Sequence, residues 1–568
     1  MTFTFLPPPI PLIITSFFGI FKDINYRERQ MKYLDYRDLP HQTNLFLDYI
    51  YDFEKVAKYF TGNFSSEDDL LNYLKSSNLD RIDRNSLCDI LVEQNSSEKE
   101  IKKNIELLRK PNTFAIVTGQ QLGLFGGPLY TIYKTFTAIK LAELMNEKFT
   151  EYHFVPVFWM EAEDHDFDEV NKVKIIDKVN NLFTHEYKPT GTDPETNTGA
   201  VGKIVINGEF DKLIQDIIST LPITEYQKDL ISLLSIYKEG ETLEDCFKQF
   251  LSEFLRGTGL IFINPNSKKV KQLLKPIFEK ELTEFPKTSE LVINISAELE
   301  EVYHAQVKAR PINLFMHHKK GRFPIEPAGE EFSLKGIRQK YTKLEMIEML
   351  NTSTEVFSPN VILRPLCQDF LLPTFMYVAG PAEIAYFAQI KPIYDHYGMT
   401  MPIIYPRASA TLVENKVNKI LTKYNLELNE LSANYDGVLR RISDEVSTIK
   451  IDSEFYKTNN EIEHIFANLE NITKAIDPTL LNNLQNTSHK TAHLLGIFKE
   501  KLFNAQMRNS ATALEQIEKV NSNIFPKGTL QERELSLVYF LNKYSRSITD
   551  KIYHEMDVTS LKHQLIEL

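Results

Sequence analysis

Two short stretches bring together side chains able to do chemistry. Gln120 and Gln121, in TGQQLGLFGG, are adjacent neutral amides that can each donate to and accept from a polar substrate. Further on, EAEDHDFD sets Glu161, Glu163, Asp164 and Asp166 around His165. Crowded like charges raise carboxylate pKa values, and a neighbouring carboxylate raises that of histidine, which is how acid–base groups are tuned. From a reference near roughly 6.5, a raised His165 would act as a general base around neutral pH, assisted by Glu163, Asp164 and Asp166. A divalent metal is a competing use of such carboxylates, but no HExxH and no second histidine at ligand spacing supports zinc. The plain alternative is a solvated acidic loop.

The elements that must position these groups can be read around them. Phe114–Thr118 is a short β-rich run, and Gly119, Gly123, Gly126 and Gly127 punctuate the turn after it. Pro128 suits the first position of a helix, where its missing N–H costs nothing. Tyr152–Trp159 is a second apolar run, too short and aromatic for a typical helix. Two strands joined by a helix predict a right-handed parallel βαβ unit, with its ligand crevice beyond the carboxyl ends of the strands. Both chemical stretches fall at those ends. The glycine spacing fits neither a dinucleotide fingerprint nor a P-loop, so a tight turn and an anion cradle are both open for Thr118, Gly119, Gln120, Gln121, Gly123 and Tyr130.

A second strand–turn–helix unit is LLPTFMYVAGPAEIAYFAQIKPIYDHYG. Gly380 can cap its helix, Pro381 fits the first position and Glu383 lies in the first turn. Glu383 serves either the helix dipole or recognition of a substrate amine or hydroxyl, and Tyr386 and Gln389 lie one turn apart on a common face. Met401–Pro406 reads as a further strand with Arg407 at its end, and Arg364 follows Val361–Leu363. Either guanidinium could hold a phosphate or a carboxylate through its planar fork, or form a structural ion pair.

The 568 residues, 42% hydrophobic, suffice for a large core and more than one domain. A net charge of −12 argues against a nucleic-acid partner. Cys88, Cys246 and Cys367, with no CxxC, suit a reducing cytoplasm and exclude a disulfide framework. Cys367 has apolar neighbours and no adjacent histidine, so a packed thiol is favoured over a catalytic one. Residues 31–110 and 208–257 carry helical spacing, KVKIID and VGKIVI read as strands, and Gly259–Asn264 returns to a buried-strand pattern.

Phe5–Phe21 is apolar but holds Pro7, Pro8, Pro9 and Pro11, which forbid an ordinary membrane helix; no basic residue precedes it as in a secretory signal. Beyond about Thr411 the chain turns helical and charged. Ile462, Ile465, Leu469, Ile472 and Ile476 recur at 3-4 spacing, and Leu495, Phe498, Leu502 and Ala505 repeat it after a break at Asp477–Pro478. This is the seam of an antiparallel or intermolecular coiled coil. FPKGTLQER, from Phe525 to Arg533, interrupts it; Lys527 and Arg533 could meet a partner or nucleotide, against the plainer reading of a tight interhelical turn.

The wording TGQQLGLFGGPLYTIYK followed by VPVFWMEAEDHDFDEVN resembles the bacillithiol-biosynthesis BshC family of cysteine-adding ligases. The resemblance continues through YHAQV, NLFMHH, the long run Leu363–Arg407 and FPKGTLQERELSLVYFLNKY, from about Met31 to the end. It implies an α/β fold: a nucleotidyltransferase-like, Rossmann-like parallel-sheet core over residues 31–410, with connecting insertions at about 170–330. A C-terminal α-helical coiled coil would follow over 411–568, used for homodimerisation. It further implies addition of L-cysteine to the amine of glucosaminyl malate in the cytoplasm, without membrane or nucleic acid. Met31 looks like the family's usual beginning, so residues 1–30 are expected to come from a start codon placed too far upstream. A free carboxylate does not acylate an amine, so ATP with Mg2+ is the expected activating co-substrate, released as ADP or AMP; no resident cofactor is otherwise implied. In this reading the TGQQ loop, with Arg364, Gly380, Glu383 and Arg407, binds substrate or nucleotide while His165 deprotonates the attacking ammonium. Another carboxylate–amine ligase or nucleotidyltransferase-like enzyme, and a nucleotide-sensing coiled-coil scaffold, are the rival readings.

Overall fold

A computed structural model describes residues 32–568 apart from 78, 80, 190–198 and 320, so the expectation about residues 1–30 lies outside the described residues. The core rests on five strands, two of nine residues flanked by three shorter ones. In chain order its elements are β1 (Thr113–Gln121), α1 (Tyr130–Lys148), β2 (His153–Glu161), β3 (Ile261–Ile263), α2 (Arg364–Leu371), β4 (Thr374–Ala379), α3 (Pro381–His396) and β5 (Ile403–Pro406). The strands lie in the order β5-β4-β1-β2-β3, all parallel. This is the doubly wound Rossmann order, and its topological switch point falls between β1 and β4. Helices cover both faces, so the strands carry apolar residues on both sides; β4 is buried along its whole length and Trp159 in β2 is fully enclosed. Twelve of the nineteen residues of α1 are buried, which explains why its sequence shows little polar–apolar contrast.

β1 runs three residues further than the β-rich run predicted. Gly119, Gln120 and Gln121 therefore belong to the strand, paired in register with Trp159, Met160 and Glu161. The helix begins at Tyr130, not at Pro128. Phe125, Gly126 and Gly127 take positive φ (52°, 84° and 70°) and turn the chain first, while Pro128 bridges to Ser536 and the Leu129 N–H bonds the Leu535 carbonyl.

Two insertions interrupt the sheet. Between β2 and β3 lie an antiparallel hairpin (Lys172–Ile176 with Leu182–Glu186) and helices Glu209–Thr220, Gln227–Leu234 and Leu243–Ser252. KVKIID is thus a strand, but VGKIVI is not. Val201–Lys203 is a 3-10 turn, and Ile204 and Ile206 spend their backbone groups on the Glu241–Leu243 loop instead of a strand partner. Between β3 and α2 come helices Lys268–Glu284 and Lys287–Glu300 and then a five-stranded antiparallel sheet. Its strands are Leu314–His318, Gly321–Ala328, Glu331–Leu334, Lys340–Thr342 and Phe357–Pro359; four of them are only three to five residues long and the fifth holds Pro324 and Pro327, so the sequence pattern does not announce them.

Ala410–Val413 pairs with His563–Glu567, which pairs in turn with Lys32–Leu34, joining the beginning and end of the described chain. Helices Ile451–Ile476 and Leu481–Asn509 form the expected antiparallel hairpin, broken at Pro478–Leu480. Within one chain the hairpin leaves Ile465 (56%), Ile472 (54%), Ile476 (78%) and Phe498 (53%) exposed. The remainder does not extend the coiled coil: Ala511–Ile524, Gln531–Glu534 and the C-terminal helices Leu537–Tyr544 and Ser547–Glu555 return to the core. Among the described residues no helix is long and apolar enough to cross a membrane.

Candidate active site

A cavity of about 610 Å³ opens at the switch point. Gly119, Gln120 and Gln121 reach it from the end of β1, Glu161 from the end of β2, and Gly380 from the end of β4, with Glu163, Asp164 and His165 in the loop after β2. Seven cationic side chains line it against five carboxylates, a local excess of positive charge in a chain whose net charge is −12.

His165 sits on a wall of this cavity. Its Nδ1 lies 3.1 Å from Asp164 Oδ1, and the two side chains are 36% and 35% exposed, so substrate can reach them. Arg322 backs the pair: Nη1 is 3.4 Å from Asp164 Oδ1 and 3.3 Å from His165 Nδ1. Its other nitrogens are tied to Ser358 Oγ (2.8 Å) and the Pro359 carbonyl (2.7 Å), and it stacks on Phe315 at 4.0 Å. Crowding does not raise the Asp164 pKa. Burial pushes it upward, but hydrogen bonds from His165 and the charge of Arg322 hold Asp164 well below the usual carboxylate range. Asp164 therefore stays ionised beside the ring; if His165 carries Nδ1–H toward Asp164, Nε2 keeps its lone pair, and if Nδ1 instead accepts from Arg322, Nε2 carries the proton.

The other carboxylates of the cluster separate. Asp166 does not line the cavity; it caps helix Phe167–Val170, accepting from the Glu169 N–H. Glu163 is buried and ion-paired with the fully buried Lys271. Glu161 pairs with Arg364 at 2.9 Å, and burial raises its pKa despite that partner. Arg364 begins α2 instead of ending a strand, and also reaches Gln368 (3.1 Å) and the Tyr386 hydroxyl (3.0 Å).

The glycine-rich turn is not the cradle. Gly123 lies away from the cavity, folded against Gly127, where a Cβ would stand 2.7 Å from the Gly127 Cα; Gly126 faces Phe250 and Leu251. Thr118 is likewise internal, its hydroxyl donating to the Val378 carbonyl at 3.2 Å. The two amides do face the cavity. Gln120 donates to the Tyr130 hydroxyl (3.3 Å), and Gln121 donates to Asp164 Oδ2 (3.1 Å) and Glu169 Oε2 (2.7 Å). Glu383 accepts the Gly380 N–H (2.7 Å) and the Tyr377 hydroxyl (2.8 Å) while lining the cavity, so it serves the helix start directly. Gln389 points elsewhere and clamps the backbone of Val307. Arg407 lines the cavity but is paired with the fully buried Glu532 at 2.6 Å. Cys367 is buried, and burial drives its thiol pKa far up, so it is a packed thiol outside the cavity lining.

Sequence reasoning missed Lys134, whose buried Nζ donates to the Gly119 carbonyl (2.5 Å) and pairs with Glu383 (2.7 Å). It also missed Arg322, Lys308 and Arg310. Lys134 sits one turn into α1, a spacing that a strand–turn–helix reading could have tested; Arg322 lies in the unforeseen sheet. Among the described residues Lys308, Arg310 and Arg533 line the cavity without forming an ion pair, whereas Lys134, Arg322, Arg364 and Arg407 are neutralised internally. The unneutralised cations are what an anionic substrate would meet. Lys527, at φ 53° in its turn, does not reach the cavity.

Residues 30–408 match the family model for the bacillithiol biosynthesis BshC N-terminal Rossmann-like domain, and residues 410–568 match that for its C-terminal coiled-coil domain. Two relatives named "Putative cysteine ligase BshC" are each 34% identical. The one from Salinibacter ruber aligns over 92% of this chain and 96% of its own length, and the one from Chlorobaculum tepidum over 93% and 97%. A third of the same name, from Chloroherpeton thalassium, is 37% identical over 82% of this chain and 85% of its own.

Proposed function

The chain belongs to the bacillithiol biosynthesis BshC family, and from that premise we propose that it is a cysteine ligase forming an amide between the carboxyl of L-cysteine and the amine of glucosaminyl malate. The observation that carries this reading is the His165–Asp164 pair facing a cation-rich cavity at the switch point of the sheet. Asp164 orients the imidazole, and Nε2 takes the proton as the ammonium of the acceptor becomes a nucleophile. The amine then attacks the acyl carbon, and the leaving oxyanion departs. Unpaired Lys308 and Arg310, the latter over the Phe315 ring, suit carboxylate or phosphate groups of the substrates.

A carboxylate must be activated before an amine displaces its oxygen, as an acyl-phosphate or an acyl-adenylate, for which ATP is the simplest source. The side chains suited to its phosphates are the same unpaired cations; no P-loop is present, so the TGQQ strand end contributes amides and not a backbone nest. The exposed apolar stripe of the hairpin suits self-association, and we read the enzyme as a homodimer through it. A purely scaffolding role leaves the fixed imidazole–carboxylate pair without a use.

The test in cells is direct. A strain deleted for the gene should lose bacillithiol, and the wild-type gene should restore it while His165→Ala should not. Bacillithiol at wild-type levels in the deletion strain would refute the assignment.

A further inference from the structure

Gln531–Glu534 lies far along the chain from the sheet, yet it is fixed to the core with unusual thoroughness. The Gln531 amide accepts the Leu412 N–H (2.8 Å) and donates to the Leu412 carbonyl (2.9 Å) and the Asn523 carbonyl (2.7 Å). Glu532, fully buried, accepts from Arg407 (2.6 Å), Ser409 (2.8 Å) and the Ala410 N–H (3.0 Å). Glu534 pairs with Lys174 of the first insertion at 2.8 Å. The remaining side chain, Arg533, forms no ion pair among the described residues and lines the cavity. It stands close to Tyr130 at the start of α1: burial raises that phenol's pKa, and Arg533 is the foremost charge opposing the rise.

An unpaired arginine on an open surface means little. Here both neighbours in the chain are locked, by a buried carboxylate on one side and an ion pair on the other. The backbone at Arg533 is thereby set to a defined place on a cavity wall, beside Tyr130. A guanidinium so placed binds a planar oxyanion through its fork. We propose that Arg533 is a specificity-determining residue that binds an oxyanion, carboxylate or phosphate, of a substrate, so that the segment following the coiled coil completes the active site. The identity of that substrate rests on the ligase reading; the anion site itself does not.

The experiment is a calorimetric titration of the full-length wild type, Arg533→Ala and Arg533→Lys with three probes: glucosaminyl malate, ATP, and a glucosaminide lacking the malate carboxylates. Arg533→Ala should weaken one oxyanion probe about 10- to 100-fold, with Arg533→Lys intermediate because it loses the fork. The carboxylate-free glucosaminide should be unaffected, and the melting temperature unchanged because the side chain is exposed. Loss confined to glucosaminyl malate identifies a carboxylate, and loss confined to ATP a phosphate. Wild-type affinities in Arg533→Ala for both probes, with the wild type still forming product, would overturn this assignment and leave the ligase reading intact. A wild type that binds neither probe would overturn both.

Discussion

Lys134 and Glu383 meet at 2.7 Å across the switch point of the sheet, one from the helix after β1 and the other from the helix after β4. The same lysine holds the Gly119 carbonyl and the same carboxylate holds the Gly380 N–H, so the pair ties together the two strand ends that frame the cavity. Burial lowers the lysine pKa, with Glu383 opposing the fall; burial pushes the glutamate up, but Lys134 outweighs it and holds Glu383 below the usual carboxylate value.

Breaking one partner of such a pair leaves a buried charge uncompensated. Lys134→Met should cost about 3–5 kcal/mol of unfolding free energy, and Lys134→Met with Glu383→Gln clearly less than the sum of the two single changes. Denaturant unfolding of the four proteins checks this; additive losses would show that the pair does not act as a unit.

His165→Ala should lower kcat by about 10²–10⁴ while the melting temperature stays within a degree or two of wild type, because the ring is partly exposed and outside the packed core. Asp164→Asn should lower kcat by a smaller factor, since the imidazole remains but its tautomer is no longer fixed. A His165→Ala enzyme with unchanged turnover would remove the histidine from the reaction.

Much of this site was legible in the sequence. The strand–helix–strand grammar around Tyr130–Lys148, the acidic cluster after β2 and the Gly380–Pro381 helix start all lie in local pattern. What was not legible depends on non-local partners. Gly123 looked like part of an anion cradle because spacing alone cannot say that it folds against Gly127. Asp166 looked catalytic because its capping of the next helix is visible only once that helix exists. Arg322 was hidden because its strand holds Pro324 and Pro327, which read as turn residues, and is recognisable only from its neighbours.

His563 predicts how stability depends on pH. It is fully buried against Ser409 Oγ (2.7 Å) and Thr411 Oγ1 (2.8 Å), beside Glu532 and Arg407, and burial lowers its pKa to about 4. The unfolded chain, with an ordinary histidine near roughly 6.5, binds the proton first. The stabilisation is therefore complete above about pH 6.5 and is lost as pH falls toward 4, in all about 3 kcal/mol. His317, lowered to about 4 mainly by burial, acts in the same sense. Unfolding free energies measured between pH 7 and 4.5 should fall with pH, and His563→Gln should flatten the slope by close to one proton. An unchanged slope would contradict the assignment.

Cys367 should be dispensable for chemistry. Cys367→Ala is expected to keep kcat while losing about 1–2 kcal/mol of stability from the small cavity left behind. Thiol reagents should reach the native residue only on unfolding, since it is buried and its thiolate disfavoured. Loss of turnover in a folded Cys367→Ala protein would reopen a covalent route.

The most direct measurement is product formation by the purified protein given L-cysteine, glucosaminyl malate and Mg-ATP, followed by mass spectrometry beside a reaction without ATP. An activated carboxyl and a histidine base together predict bacillithiol that depends on ATP and falls to background with His165→Ala. Bacillithiol formed equally with and without ATP would contradict an activated carboxyl, and none in either reaction would contradict the ligase itself.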